Sequence, residues 1–464
     1  MSAILPRPRG WPSILLARAR AADPTDLDAA LAAGAFEGLR RAIRQLGPAG
    51  TIAEVEASGL RGRGGAGHRT AAKWRTAAST SARIRYVVAN GYGADPGAGT
   101  DRTLLETDPY AVVEGVAIAA FAIGAEEAFI SVRTTATEAL RRIRAAVDAA
   151  SSRNLIGDDV LGSGIRIEIS VRPVQGAYML GEETVLLKAL DGKRGQPEQR
   201  PPHPATRGFR NAPTVVQNVQ TLAAVPWIVR KGAAAFAAIG AEDVPGTILV
   251  DVRGHQRSGV AEVPFGTPLR DVVALGGRPR PGRSLKAVVV GGPTGGILPA
   301  AALDTPYTFE ALRSAGAHVG SGSVIVADDR ACVVDLGRLL TRYAADEACG
   351  KTIPCRIGLR RIAEIGERLT TGTSRGGDLD LLTDLAADVV GSGLCDHERL
   401  ATLPMLSGLR YFRDEVDAHY LRGVCPAGVC RPISIGASAA SRTVRTRGAA
   451  RPAASTATAA RAQA

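Results

Sequence analysis

Residues 59–67 (GLRGRGGAG) constrain this chain more than any other stretch. Five of the nine are glycine, and Lys73 and Trp74 follow at helical distance. Glycine lets backbone N–H groups come close to a ligand, and Arg61, Arg63 and Lys73 bring the positive charge that a phosphate needs. Context excludes two known phosphate motifs. Gly62-x-Gly64-x-x-Gly67 has the spacing of a dinucleotide fingerprint, but residues 51–58 (TIAEVEAS) read as a helix end where that fingerprint requires a strand. Read as a P-loop, the same run needs Lys and Ser or Thr where His68 and Arg69 stand. A mobile glycine turn without a ligand is the competing reading, and three cations favour an anion over it. A helix over 71–76 is expected to add its N-terminal dipole to the site.

At 464 residues the chain is too long for one core, so several domains are expected. No run of 18 apolar residues predicts a membrane span. Residues 7–17 faintly resemble a signal peptide, but Arg18 and Arg20 interrupt a short apolar run, so a cytoplasmic protein is expected. The net charge is +12, yet no acid follows Asp417, while Arg442, Arg445, Arg447, Arg451 and Arg461 crowd the tail. With aromatics at 4% there is no stacking platform for nucleic acid, so anionic cofactors and acidic partners explain the charge better.

Periodicity predicts a helix over 26–46, a buried strand over 84–89 and a turn-rich loop over 90–97 (NGYGADPG). A helix over 108–125, a strand over 128–132, a basic amphipathic helix over 137–150 and a strand over 165–171 follow. Residues 176–184 (GAYMLGEET) then open a helix, where Glu182 and Glu183 suit the dipole by themselves. This β-α-β-α alternation argues for an α/β layer fold with ligands at the C-terminal strand edge. Residues 246–275 read as strand, turn, strand and a helix begun at Thr267-Pro268, with further strands over 284–292 and 322–327. All six cysteines lie in the last third, and Cys332, in an apolar helical stretch, reads as a small buried hydrophobe.

The glycine run with Lys73-Trp74, and the segments after it in order, resemble the NADH-oxidising flavoprotein subunit of respiratory complex I and its relatives in NAD-linked hydrogenases and formate dehydrogenases. The likeness covers about residues 26–430. It implies an N-terminal segment and helix (1–50), a Rossmann-like α/β domain for FMN and NADH (51–240), a small β-grasp domain (246–328), a helical iron-sulfur domain (329–430) and a disordered basic tail (431–464). It also implies Gly62, Gly64, Gly65 and Lys73 at the FMN phosphate, with Asn90 and Asn218 at the flavin's polar edge. Tyr178, Gly181, Glu182 and Glu183 would lie against the ring, the glutamates shaping the pocket and tuning the flavin. Asp95, His68, His203 and Arg200 would surround the nicotinamide nucleotide. The sequence departs from the family where Asp95 replaces a usual Glu, Gln217 a commoner Asn, and Tyr92 and Gly93 a usual acidic pair. His68 and His203 stand where relatives usually stack NADH on phenylalanine, and a smaller polar ring offers less apolar contact.

Residues 349–356 (CGKTIPCR) resemble the family's Cys-Gly-x-Cys-x-Pro-Cys-Arg run, which binds a 4Fe-4S cluster with a distal cysteine here supplied by Cys395. Cys349, Cys355 and Cys395 are retained, and Thr352 occupies the second ligand position. The fourth place can fall to His397, to Thr352 or water, or to Cys425 or Cys430. A 3Fe-4S cluster, no cluster, or zinc on three cysteines and His397 are the other outcomes. Cys425 to Cys430 resembles the segment that precedes a ferredoxin-like extension in hydrogenase-type relatives. The implied function is oxidation of NADH through FMN, with electrons passing to an iron-sulfur cluster about a helical bundle away and on to a ferredoxin-like subunit. A second reading keeps the scaffold as an electron-relay or assembly subunit that does not oxidise NADH. A third is a colourless structural module.

Overall fold

The computed structural model describes residues 3–19 and 23–430; the tail expected to be disordered lies outside the described residues. Tyr86–Gly91 (β1), Glu127–Arg133 (β2), Glu168–Val174 (β3) and Thr214–Asn218 (β4) form a parallel sheet in the order β3-β2-β1-β4. Parallel strands need crossovers that cover their faces, which is why β1 and β2 are buried almost throughout. The helix Pro109–Ile123 is buried along its whole length; Asp108 starts it by accepting from the Ala111 N–H, and Gly124 ends it at φ 71°. From β1 the chain passes to β2 and β3 on one side, and β4 then pairs with the opposite edge of β1. The strand order therefore reverses between β1 and β4, where open α/β sheets take their ligands.

A two-residue ribbon, Gly240–Ala241 (β5) with Val244–Pro245 (β6), leads into a five-stranded mixed sheet. Its strands are Thr247–Arg253 (β7), Ser258–Pro264 (β8), Leu285–Val290 (β9), Gly296–Pro299 (β10) and Ser323–Asp328 (β11), ordered β10-β9-β11-β7-β8. The N-terminal segment lies along its edge. Leu5 donates its N–H to the Val260 carbonyl at 2.8 Å, and the buried Glu262 carboxylate accepts the N–H groups of Ile14, Leu15 and Leu16. Residues that read as a faint leader are thus built into the second sheet.

The helix expected over 26–46 is broken into Leu27–Ala32, Glu37–Arg41 and a π turn, Ala42–Leu46. The cause is Glu114, 1% exposed on Pro109–Ile123, whose carboxylate accepts from Phe36 N at 2.7 Å and Leu39 N at 3.1 Å. With Phe36 at φ 62° the second piece starts afresh on that carboxylate. Beyond β11, helices Val333–Asp346, Leu359–Thr371, Asp378–Ser392, Asp396–Leu400, Leu403–Tyr411 and Arg413–Arg422 form the C-terminal region. Lys286 of β9 pairs with Glu415 at 2.6 Å, and Ile297 of β10 donates its N–H to Ser407, docking that region on the second sheet. Among the described residues no helix is long and apolar enough to cross a membrane.

Candidate flavin site and cysteine centres

The crevice beyond β1 and β4 is built from the segments singled out in the sequence. Asn90 and Asn218 are register partners at the two strand ends. Asn218 accepts from Gln220 N as the cap of Val219–Lys231 and donates to Asp101 at 2.8 Å, while Asn90 donates to the Gly181 carbonyl at 3.3 Å. The glycine loop closes over this edge: Gly62 N donates to the His68 carbonyl and Thr70 N to that of Leu60. A Cβ on Gly64 would stand 3.2 Å from the Asn218 Cβ, and one on Gly67, at φ 65°, would stand 2.9 Å from the Phe309 ring. The loop follows the helix Gly47–Ala57 and opens the helix Thr70–Ala78, which bears out the exclusion of a Rossmann fingerprint.

Of the three cations assigned to the phosphate, only Lys73 reaches the crevice without being committed to the second sheet region. Arg63 is fully buried, donating to the carbonyls of Thr247 and Pro245 and lying over the Phe265 ring at 4.9 Å. Arg61 donates to the Gly67 carbonyl at 2.7 Å and pairs with Glu310 at 2.8 Å. Both are corrected to structural roles: they lock the loop onto β6, β7 and the start of the helix Phe309–Ser314. Proximity in sequence to the glycines could not reveal that.

Lys73 bonds Glu183 at 2.5 Å and the Val216 carbonyl at 3.3 Å. Arg200 reaches the other Glu183 oxygen at 3.1 Å and lies 3.8 Å from Glu182. Glu182 caps the helix Glu183–Leu190, accepting from the N–H groups of Thr184 and Val185. Burial raises the Glu182 carboxyl above its ordinary pKa against these donors. Burial also opposes ionisation of Glu183, but Lys73, Arg200 and His68 overcome it and hold that carboxyl below the usual range. The two adjacent carboxyls are thus shifted in opposite directions. His68 is exposed beside Lys73, Glu183 and Arg200, and His203 is exposed three residues after Arg200 in sequence.

Asp95 lies deeper than expected of a nucleotide contact. It is 4% exposed, accepts from Gly97 N at 2.7 Å, and its Oδ2 occupies the space that a Cβ on Gly292 would need, so it faces the second sheet. Tyr92, which replaces an acidic residue, is buried, donates its hydroxyl to the Gly176 carbonyl and carries Arg133 over its ring at 4.5 Å. Its role is to brace the 176–184 segment.

The cysteines of the 349–356 loop are not a helical bundle away. Cys349 and Cys395 pack in one apolar cluster with Tyr92, Leu180, Val185 and Leu186, directly behind the glutamate segment. Lys351 donates to the Pro197 carbonyl at 2.6 Å, and Tyr178, whose N–H is held by Glu347, has its ring 5.8 Å from that of His397. Cys355 and Cys395 are buried, and burial pushes both thiols up to about 12. Two of the expected fourth ligands are committed elsewhere: Cys425 and Cys430 gather with Cys332 and His419, all ligand atoms within 4.8 Å of one another.

Cys332 is buried in the helical core, as a small hydrophobe would be, and it also joins this second group. Cys332 Sγ lies 3.4 Å from His419 Nε2 and 3.6 Å from Cys430 Sγ, and accepts from Asp335 N as a helix cap. His419 Nδ1 faces the Glu415 carbonyl at 2.8 Å, which sets it as the donor and leaves Nε2 as the ligand. Three sulfurs and one imidazole are a ligand set that structural zinc sites use. His419 and the Cys425-x4-Cys430 spacing lie close together in sequence, but Cys332 lies far upstream and only the fold brings it to them.

A parallel sheet with a glycine-loop anion site at its switch point, backed by cysteine-bearing helices, defines a flavin- and iron-sulfur-type electron-transfer protein. Two families match: the Nuo51 FMN-binding domain over residues 55–227 and the NADH-ubiquinone oxidoreductase-F iron-sulfur binding region over residues 335–419. The chain is 38% identical over 410 residues to NADP-reducing hydrogenase subunit HndC of Solidesulfovibrio fructosivorans, covering 88% of this chain and 83% of that one. It is 38% identical over 397 residues to an NADH-quinone oxidoreductase F-type subunit of Rhizobium meliloti, covering 85% and 94%. A solved NAD+-reducing [NiFe]-hydrogenase, in the H2-reduced state, superposes with a TM-score of 0.78 at 32% identity, covering 96% of this chain and 72% of that one. This chain belongs to the family of NADH-quinone oxidoreductase F-type subunits, oxidoreductases with FMN and 4Fe-4S binding regions. Cys332, Cys425 and Cys430 fall outside both matched regions.

Proposed function

We propose that this chain oxidises reduced nicotinamide nucleotide at FMN and delivers the electrons to an iron-sulfur cluster and then to a ferredoxin-like partner. The observation that carries it is the direct packing of Cys349 and Cys395 behind the 176–190 segment that borders the crevice, which leaves a short path from one centre to the other. FMN supplies the exchange between two-electron and one-electron chemistry when bound. Gly62, Gly64 and Gly65 offer close backbone approach to its phosphate, with Lys73 as the cation. Asn90 and Asn218 orient its polar edge, and Gly181, Glu182 and Glu183 border the ring. Burial shifts the Glu182 carboxyl upward while Lys73, Arg200 and His68 hold Glu183 downward, so the two would differ in how readily they take up a proton beside it. Arg200, His68 and His203 form the rim where a nucleotide enters, and Tyr178 stands between crevice and cluster. Asp95 holds the loop of β1 against the second sheet rather than touching the nucleotide.

The test is anaerobic titration of purified, iron-sulfur-reconstituted protein with NADH, followed by visible absorbance and low-temperature EPR. Bleaching of the flavin with appearance of a cluster signal is expected. Flavin that dithionite bleaches and NADH does not would select the relay reading, which the loss of both aromatic rim positions favours.

A further inference from the structure

We infer that the Glu398 carboxylate takes the ligand place that Thr352 vacates, so that the cluster is held by Cys349, Cys355, Cys395 and Glu398. The inference rests on the cluster part of the proposed function and is independent of nicotinamide use.

Cys349, Thr352 and Cys355 share one short loop, and Cys395 faces it as the N-cap of Asp396–Leu400. Glu398 lies one turn further along that helix and is 2% exposed. Its Oε1 accepts the Thr352 hydroxyl, so the carboxylate stands where the second side chain of the loop points. Its Oε2 accepts from Leu394 N at 2.6 Å and from Ser392 Oγ at 3.5 Å. The partners of the Glu398 carboxylate are thus Thr352, Leu394 N and Ser392, and the buried Cys355 and Cys395 thiols both lie within its electrostatic reach.

The other ligands left open by the sequence are engaged. His397 Nε2 faces the Ala344 carbonyl at 2.9 Å and its ring packs against Tyr178, while Cys425 and Cys430 belong to the Cys332 and His419 group. Among the described residues Glu398 combines burial, contact with the residue at the vacated position and closeness to both Cys355 and Cys395. Thr352 then acts as a positioning residue that hydrogen-bonds the ligand carboxylate.

The experiment uses the full chain, reconstituted anaerobically with ferrous iron and sulfide, with dithionite as reductant. Iron and sulfide are counted per chain, and EPR spectra are taken oxidised and reduced. Wild type is expected to reach about four irons and Glu398→Gln about three, with the paramagnetic signal of an oxidised three-iron cluster. The double variant Thr352→Cys/Glu398→Gln should return to four irons, which also shows that the Gln side chain leaves the site folded. Glu398→Gln with four irons and an unchanged spectrum overturns the inference. So does wild type without a cluster alongside a Thr352→Cys variant that assembles one, since the Thr352 and Glu398 pair would then merely fill a lost site. Failure of NADH to bleach the flavin leaves these counts untouched, so the two readings fail separately.

Discussion

Removing the metal from the Cys332, His419, Cys425 and Cys430 centre should loosen the end of the C-terminal region while sparing the flavin crevice. The magnitude follows from what the centre ties together. Cys332 begins the helix Val333–Asp346, and Cys430 lies 98 residues later with its sulfur 3.6 Å away. A cross-link over that separation constrains the unfolded chain by roughly 4–5 kcal/mol on the loop-closure scale. Structural zinc in small Cys/His sites contributes more, roughly 10–16 kcal/mol of apparent binding energy. Without metal the last turn of Arg413–Arg422 and the 423–430 segment keep few other anchors, since Leu421, Val424 and Val429 are exposed. The assay is elemental analysis of protein purified without added metal, then limited proteolysis before and after a strong chelator. One zinc per chain, lost from Cys425→Ser and His419→Ala with new cleavage confined to 423–430, is expected. Protein that carries no zinc, or whose cleavage pattern the chelator leaves unchanged, would refute the reasoning.

Three further outcomes are expected. Glu114→Gln should cost about 2–4 kcal/mol in denaturant unfolding, because both carboxylate oxygens accept buried N–H groups and an amide can satisfy only one of them; a cost below about 0.5 kcal/mol would show that the broken helix does not depend on that carboxylate. Burial raises Asp95 to about 6, above its ordinary value of 3.8. Its contribution to stability is therefore full below about pH 4 and lost as pH rises through about 6, so Asp95→Asn should flatten that slope and stabilise the fold at pH 7.5 by at most about 3 kcal/mol, read from denaturant unfolding across that range. His68→Phe and His203→Phe should each tighten NADH binding roughly three- to tenfold, measured by equilibrium titration of the oxidised protein, from the added stacking energy of about 0.5–1.5 kcal/mol. An unchanged affinity in both would remove these residues from the nucleotide rim.

Much of the fold was legible because its signals are local. The buried runs that became β1 and β2, the Asp108 cap and Gly124 stop around Pro109–Ile123, and the glycine loop all act through neighbours in sequence. β4 and β10 were missed because a five-residue and a four-residue strand carry too little pattern to distinguish from a turn. The helix over 26–46 was misread for the opposite reason: its periodicity was sound, and a carboxylate from a helix 78 residues away broke it.

The sequence by itself determined the α/β layer and a glycine-rich anion site at a strand edge. Its resemblance to the family implied which cysteines stand in ligand positions and that Thr352 occupies another, because the order of residues along the chain carries that likeness. Only the tertiary structure decided which charges serve the site. It turned Arg61 and Arg63 away to lock the loop, shifted the Glu182 and Glu183 carboxyls in opposite directions, and brought Glu398 to Thr352. It also gathered Cys332, His419, Cys425 and Cys430 into one centre. Burial and charge pairing depend on distances through space between segments far apart in the chain, and no local pattern encodes those distances.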